Sequence, residues 1–252
     1  MKNKSFVALR KLPHPILRLV CFHHAGGSAS AYNIWKDHID PSVEIYSLQL
    51  PGRETRIDES LGVTMDEIQQ DLLDDFFQLS NLPFIFFGHS LGGFVAYELA
   101  KRIYLTKSLL PCHLIIAAIR APHVCLRTTI AHHLNDEQFL DELNKYEAIP
   151  QELVQQEEFR SFFLPIIKSD FAVSENYIYT TPFALDCNIT SITGNEDHSC
   201  SSTDSAAWKQ YTTQQFCHHV LEGNHFFIKS NFYHLKTIVN NIIRSGLLKI
   251  DY

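Results

Sequence analysis

The sequence lacks the features that mark membrane, metal-binding and disulfide-rich proteins. It has no apolar run long enough to cross a bilayer. Arg10, Lys11 and Pro13 interrupt the region where a signal peptide would be apolar. The six cysteines, at positions 21, 112, 125, 187, 200 and 217, form no Cys-x-x-Cys pair and no zinc-like spacing. We therefore expect a cytoplasmic protein with reduced thiols, no metal and no membrane partner.

Positive charge is also scarce. The chain carries 21 Lys and Arg against 28 Asp and Glu, a formal net charge of −7, and has no long basic run. This balance argues against nucleic acid or an anionic surface as a partner. An acidic protein partner would need a local positive patch, for which the candidates are Arg53, Arg56, Lys101, Arg102 and Lys107. For most of these side chains, solvated surface charge is the simpler role.

No linker, repeat or low-complexity tract divides the chain, so we expect a single domain over residues 1–252. Apolar segments alternate with helical ones along it. Strands are predicted near 16–22, 43–50, 83–88, 113–119, 188–193 and 216–221, and helices near 29–38, 64–79, 91–105, 202–213 and 226–245. The alternation predicts an α/β fold, with a mostly parallel sheet and helices on both faces.

One stretch combines a strand, a sharp turn and a helix around a serine. The apolar residues Phe84–Phe87 run into Gly88-His89-Ser90-Leu91-Gly92, and a helical segment follows directly. Side chains at positions 88 and 92 would collide with the neighbouring strand or helix, which explains the two glycines. This pattern predicts a nucleophile elbow, with the hydroxyl of Ser90 exposed and the amide of Leu91 at the positive end of the helix. The alternative is a structural serine in a glycine-rich turn.

A serine nucleophile requires a base and an acid, in the chain order Ser, Asp or Glu, His that this turn implies. The predicted strand at 188–193 ends at a loop that holds Asp197, and the last predicted strand ends at a turn that holds His225. We therefore expect Asp197 as the acid and His225 as the base. The paired histidines at 23/24, 132/133 and 218/219 are expected to be solvated or packing residues.

The quoted residues match more than a generic hydrolase, because blocks along residues 16–230 resemble the type II thioesterases of nonribosomal peptide and polyketide synthesis. The blocks are 19–32, Gln49–Arg56, Gly88–Gly92, Arg120–Pro122, Ser169–Phe171, Ala206–Trp208 and Gly223–Phe227. Three positions depart from the family pattern. His23 and His198 stand where the family usually has proline, and Gly93 replaces a more usual alanine. His198 could alter how the loop around Asp197 is held.

The resemblance implies an α/β-hydrolase fold and a serine hydrolase. Ser90 would be the nucleophile, Asp197 the orienting acid, His225 the base, and the amides of Leu91 and Ala25 the oxyanion hole. The substrate would be an acyl thioester on the phosphopantetheine arm of an acyl or peptidyl carrier protein. No cofactor is expected, since that arm belongs to the partner. We also expect a monomer.

Residues 120–186 carry no strand signal and are too many for a simple crossover. A helix is predicted to start at Asn135, and a second run extends from Glu152 to about Ile167, with Pro165 kinking or resetting it. We expect a helical lid insertion over the carboxyl edge of the sheet, whose apolar face lines the acyl pocket. The alternative is that its aromatic side chains merely pack it onto the body.

Three alternatives to synthase editing remain. The chain could release medium-chain fatty acids from a fatty-acid synthase, or it could hydrolyse small esters as a general esterase. Both would use the same three residues, so only the preferred acyl donor would separate them. It could also be a non-catalytic hydrolase fold that binds a synthase or a small ligand. The presence of Ser90, Asp197 and His225 together with the elbow glycines argues against that.

Overall fold

The computed structural model describes residues 3–62, 64–125, 130–146, 151–177 and 183–247. In these ranges seven strands form one sheet, in the order β1-β3-β2-β4-β5-β6-β7. The strands are β1 (Phe6–Arg10), β2 (Leu17–Phe22), β3 (Val43–Leu48), β4 (Phe84–His89), β5 (His113–Ala117), β6 (Asn188–Gly194) and β7 (Phe216–Leu221). β1 pairs antiparallel with β3, and the other neighbouring pairs are parallel. The predicted mostly parallel sheet is confirmed.

The central strands are buried on both faces of the sheet. In β4, Phe84 and Phe86 join the hydrophobic cluster on one face, while Ile85 and Phe87 join the cluster on the other. Side chains of a strand alternate between faces, and both faces are covered here, so the strand has no polar positions to interrupt its apolar run. All six predicted strands form, with ends that differ by at most two residues. The sixth, β7, lies at the edge of the sheet and is only partly buried.

Helices cover both faces. They are α1 (Met65–Phe77), α2 (Leu91–Lys107), α3 (Asp136–Asn144), α4 (Gln151–Val154), α5 (Leu164–Glu175), α6 (Ser202–Ala206), α7 (Phe227–Ser230) and α8 (Phe232–Leu247). α1 and α2 contribute to one cluster, and α8 contributes to the other with the 3-10 helix Ala29–Asp37. None of the helices in the described ranges is both long and apolar enough to span a bilayer.

Three details of the sequence prediction were wrong. β1 was missed, because four of its five residues are only half-buried and an edge strand of that kind shows no clear alternation. The helix predicted over 226–245 is two helices, α7 and α8, that are separated at Asn231. The predicted 202–213 segment likewise begins as α6 and continues as the 3-10 helix Ala207–Tyr211.

The stretch between β5 and β6 contains the helices α3, α4 and α5, which agrees with the helical character predicted for it. Asn135 caps α3 by accepting a hydrogen bond from the amide of Gln138. A π-helical turn, Phe159–Phe163, leads into α5, and Pro165 lies in the first turn of α5, where a proline is tolerated. α5 extends to Glu175, beyond the predicted end near Ile167. Residues 126–129, 147–150 and 178–182 lie outside the described ranges.

Candidate active site

Ser90 stands on a strained turn between β4 and α2. Its backbone angles are φ 54° and ψ −125°, and its amide donates a hydrogen bond to the carbonyl of Ala117, at the end of β5, at 2.8 Å. A Cβ on Gly88 would lie 2.3 Å from the carbonyl oxygen of Gly92, and one on Gly92 would lie 2.1 Å from that of Phe22. The two glycines are therefore obligatory where strand, turn and helix pack this closely.

The structure brings the three predicted side chains together across three elements. His225 Nε2 lies 3.0 Å from Ser90 Oγ, and His225 Nδ1 lies 2.9 Å from Asp197 Oδ2. Asp197 and His225 are buried, whereas Ser90 is partly exposed. Each residue follows the carboxyl end of a different parallel strand (β4, β6 and β7), so the sheet itself gathers them at one edge.

Asp197 is held by more hydrogen bonds than the sequence indicates. Its Oδ1 accepts from the Ser199 hydroxyl at 2.7 Å, the Ser199 amide at 2.9 Å and the Cys200 amide at 3.2 Å. Burial alone would raise the pKa of Asp197, but the hydrogen bonds from His225 and Ser199 lower it below its ordinary value. The carboxyl group is therefore ionised at neutral pH.

Ser199 is the site residue that sequence reasoning missed. Besides contacting Asp197, its hydroxyl lies 2.9 Å from Nδ1 of His225, so it contacts both the acid and the base. A serine in a polar loop carries no sequence signal of such a role. His198, expected to affect this loop, is exposed, and the hydrogen bonds that hold Asp197 come from Ser199 and Cys200 instead.

Three further histidines surround the site. His89 Nε2 donates to the backbone carbonyl of His225 at 2.9 Å, and burial lowers the pKa of His89 to about 3. His23 is fully buried, which lowers its pKa to about 4. His24 lines the site, and burial lowers its pKa well below the ordinary value. All three side chains are neutral at pH 7. His23 packs in the interior, as expected, and His24 in addition forms part of the cavity wall.

The two predicted oxyanion-hole residues, Leu91 and Ala25, line the same cavity as Ser90 and His225. Leu91 is the first residue of α2. Its amide is therefore one of the first four of the helix, which have no acceptor within the helix. Ala25 lies between His24 and Gly26 in the loop after β2. Both residues therefore lie on the wall of the cavity beside Ser90.

The loop around Ala25 is fixed by a buried ion pair between Arg53 and Asp170. Two parallel hydrogen bonds of 2.6 and 2.9 Å join the guanidinium to the carboxylate. Asp170 also accepts from the amide of Gly26 at 2.7 Å, and Arg53 donates to the carbonyl of Gly27 at 3.0 Å. Asp170 belongs to α5, so this pair connects the helical stretch after β5 to the loop after β2.

That burial corrects the predicted positive patch. Arg53 is 5% and Arg56 3% exposed, and Arg56 is paired with Asp71 at 2.7 Å. Neither can present charge to a partner. Of the remaining candidates, Lys101 lies 3.3 Å from Glu98 and Arg102 is paired with Asp66. Lys107 is exposed, with its ammonium 3.6 Å from the centre of the Phe77 ring.

A cavity of about 250 Å³ opens beside Ser90. Its apolar wall contains Ile119 and six residues from the segment between β5 and β6. These are Leu143, Tyr146, Phe159, Phe163, Ile167 and Phe171. A second cavity of about 210 Å³ is also lined by His225, together with Lys145, Glu196 and Asn224. Tyr146, Ser199 and His225 line both cavities.

A model of the thioesterase domain family matches residues 17–245. The chain belongs to the thioesterase family. The fold expectation, an α/β hydrolase, and the resemblance to type II thioesterases are thereby confirmed, and the serine-hydrolase geometry around Ser90 belongs to a thioesterase.

The relatives of this thioesterase cover nearly all of it. Gramicidin S biosynthesis protein GrsT of Aneurinibacillus migulanus is 33% identical over 233 residues, 92% of this chain and 91% of that protein. The medium-chain S-acyl fatty acid synthase thioesterase of Rattus norvegicus is 28% identical over 231 residues, 90% and 87% of the two chains. The solved structure of YbtT, a type II thioesterase from the yersiniabactin NRPS/PKS pathway, superposes with a TM-score of 0.86 at 25% identity, covering 96% and 99%.

Proposed function

We propose that this thioesterase hydrolyses acyl groups from the phosphopantetheine arm of an acyl or peptidyl carrier protein. It would thereby clear misprimed or stalled carrier domains of a nonribosomal peptide or polyketide synthase. The observation that carries the proposal is the hydrogen-bonded chain from Ser90 through His225 to Asp197 beside a largely apolar cavity. The similarity to the gramicidin S and yersiniabactin proteins supports the choice of pathway class.

In the proposed acylation step, Ser90 Oγ attacks the thioester carbonyl while His225 Nε2 accepts its proton. The amides of Leu91 and Ala25 donate hydrogen bonds to the oxyanion that develops. The tetrahedral intermediate collapses, the carbon–sulfur bond breaks, and His225 returns the proton to the departing thiolate. Ser90 is left as an acyl ester.

In the proposed deacylation step, His225 takes a proton from a water molecule, which attacks the acyl ester and releases the free acid. Asp197 stays ionised throughout, since hydrogen bonds lower its pKa. It holds the imidazole with Nδ1 protonated and stabilises the imidazolium. No step requires a cofactor from the enzyme, because the phosphopantetheine arrives on the carrier protein.

The stretch over residues 120–186, which contains α3, α4 and α5, is proposed as a lid within a single domain. It supplies most of the apolar residues that line the cavity beside Ser90, which supports an acyl group as the occupant. We further propose a monomer that works in the cytoplasm. The six free cysteines support that location.

The test is single-turnover hydrolysis of one acyl group presented on a carrier protein, on coenzyme A and as a simple ester. We expect the carrier-bound thioester to react fastest and Ser90→Ala to be inactive but folded, because the change removes no core volume. Equal or faster cleavage of the simple ester would contradict the carrier partner and favour a general esterase. Intact activity in Ser90→Ala would contradict the mechanism.

A second candidate is the release of medium-chain fatty acids from a fatty-acid synthase. The similarity to the rat medium-chain enzyme favours it. The two functions use the same chemistry, so acyl length separates them. Decanoyl-carrier protein hydrolysed much faster than acetyl-carrier protein would support fatty-acid release, and the reverse order would support editing.

A further inference from the structure

A buried arginine on the cavity wall is not used by the proposed chemistry. Arg120 lines the cavity beside Ser90 and is 8% exposed. The backbone on either side of it is anchored, since Trp208 Nε1 donates to the carbonyl of Ile119 at 3.0 Å and the amide of Ala121 donates to the carbonyl of Asp204 at 3.1 Å. The side chain is therefore presented from a fixed position.

No hydrogen bond or ion pair joins the guanidinium of Arg120 to any residue in the described ranges. Its one contact of this kind is with the face of the Phe94 ring, 5.1 Å from the ring centre. A ring face beneath the guanidinium plane leaves the five N–H donors at its edge unused. Burial lowers the pKa of Arg120, yet arginine stays charged at neutral pH.

The nearby acid on the cavity wall is already satisfied. Glu175 accepts hydrogen bonds from the amide of Ala131 at 2.8 Å, from the amide of His132 at 3.1 Å and from His132 Nδ1 at 2.5 Å. Of the described residues that line this cavity, Arg120 is the one lysine or arginine. None of the Arg120 nitrogens is a fully buried polar atom without a partner, so they reach solvent at this wall, and an acceptor brought by the occupant of the cavity would take the place of water there.

We propose that Arg120 is a specificity determinant that binds a hydrogen-bond-accepting oxygen in the chain of the acyl substrate. This inference rests on the proposed function and refines it: the preferred acyl groups carry a carbonyl or carboxylate oxygen, as ketide, aminoacyl or peptidyl chains do, rather than being plain alkyl chains. The aromatic side chains of the cavity wall pack against the carbon skeleton of the acyl group, and the Arg120 guanidinium donates a hydrogen bond to its oxygen.

The sheet sets the spacing of that oxygen from the reacting carbonyl. β4 and β5 end level with each other, with His89 opposite Ala117. Neighbouring strands lie about 4.8 Å apart, and Ser90 follows β4 directly. Arg120 stands three residues beyond Ala117, at most ~10 Å of chain. These upper bounds keep Arg120 within reach of an acyl chain bound to Ser90, and the chain length that brings the oxygen to the guanidinium is found by varying the acyl length.

The test compares isosteric acyl groups on the carrier protein. Adipamoyl and 6-methylheptanoyl differ only in a terminal carboxamide against an isopropyl group, and adipyl adds a carboxylate arm. The same pairs are made one to two carbons shorter and longer. We expect the wild type to favour the oxygen-bearing member in kcat/KM by about tenfold or more at the best length, the size of a hydrogen bond to a charged group.

Arg120→Met should abolish that preference, and Arg120→Lys should retain part of it. Arg244→Met makes the same chemical change at an exposed position on α8 and should keep the wild-type ratio. A wild-type preference for the alkyl member at every length overturns the inference, as does an unchanged ratio in Arg120→Met. If Arg120→Met does not fold, the wild-type series and Arg120→Lys still decide.

The test of Arg120 and the test of the proposed function can fail independently of each other. Failure to hydrolyse any carrier-bound acyl group, while a fluorophosphonate labels Ser90, would defeat the carrier-protein function. The same acyl pairs on coenzyme A would then test Arg120. Hydrolysis with a ratio that ignores Arg120 would defeat the inference and leave the function standing.

Discussion

At the scale of single residues, Ser199 contacts both the proposed acid, Asp197, and the proposed base, His225. Its hydroxyl donates to Asp197 and lies beside Nδ1 of His225. Ser199→Ala removes one hydrogen bond from the carboxylate, so we expect kcat to fall about tenfold with KM nearly unchanged. Steady-state kinetics on an acyl-carrier substrate measures both values.

Asp197→Asn provides the comparison for that measurement. An amide cannot stabilise the imidazolium and favours the wrong tautomer, so kcat should fall by about 10⁴, as in other serine triads. An unchanged rate would show that Asp197 is not the acid and would assign that role to Glu196, Asp204 or Glu222. The structure argues against that assignment, because Asp204 caps α6 and the two glutamates are exposed.

At the scale of elements, the Arg53–Asp170 pair joins α5 to the loop that carries Ala25. Asp170→Asn should cost about 3–5 kcal/mol of stability, because it leaves the buried guanidinium unpaired. In the protein that remains folded, kcat should fall as well, since the amide of Gly26 and Arg53 now share one neutral acceptor oxygen in place of the carboxylate, and the neighbouring Ala25 amide shifts. Losing one oxyanion donor costs about 10²–10³ in kcat.

A second buried pair gives the matched control. Arg18 and Glu44 are joined at 2.8 Å, and Arg18 stands at the amino end of β2, away from the site. Glu44→Gln should lower stability comparably and leave the kcat of the folded enzyme unchanged. Urea unfolding together with kcat decides the matter, and equal kcat losses in both variants would show that the Arg53–Asp170 pair is merely structural.

At the scale of the whole molecule, the buried neutral histidines make stability depend on pH. His23 and His89 have folded-state pKa values of about 4 and about 3, against 6.5 when exposed in the unfolded chain. Between those values the unfolded state binds more protons, so the free energy of unfolding falls as pH falls below about 6.5. Each histidine contributes about 1.4 kcal/mol per pH unit over its window.

Urea unfolding at pH 7, 6 and 5 measures this slope. His23→Gln should reduce it by the share of one histidine, whereas His14→Gln, at an exposed position, should leave it unchanged. Stability that stays constant from pH 7 to pH 5 in the unmutated protein would contradict the buried neutral state of these side chains.

The sheet and three site residues could be predicted because their signals are local. A buried parallel strand reads as an apolar run, and the elbow, the acid loop and the histidine turn each follow such a run. Other features depend on packing between distant segments. Arg53 and Asp170 are 117 positions apart, so the sequence near either residue does not indicate that they form an ion pair. Arg120 belongs to one of the blocks that resemble the family, but only the three-dimensional structure shows that its guanidinium has no hydrogen-bond partner in the described residues.

The helices after β5 have a hydrophobic cluster of their own, which includes Phe139, Leu143, Val154 and Leu164 and is distinct from the two clusters of the sheet. The wall of the acyl cavity can therefore change while the machinery beneath it stays constant. Such an arrangement suits adaptation to new pathways and also transplantation by design. If the proposed lid were replaced by that of a relative, the new segment would need an acid in the place of Asp170 facing Arg53, and we expect that it would change the preferred acyl chain.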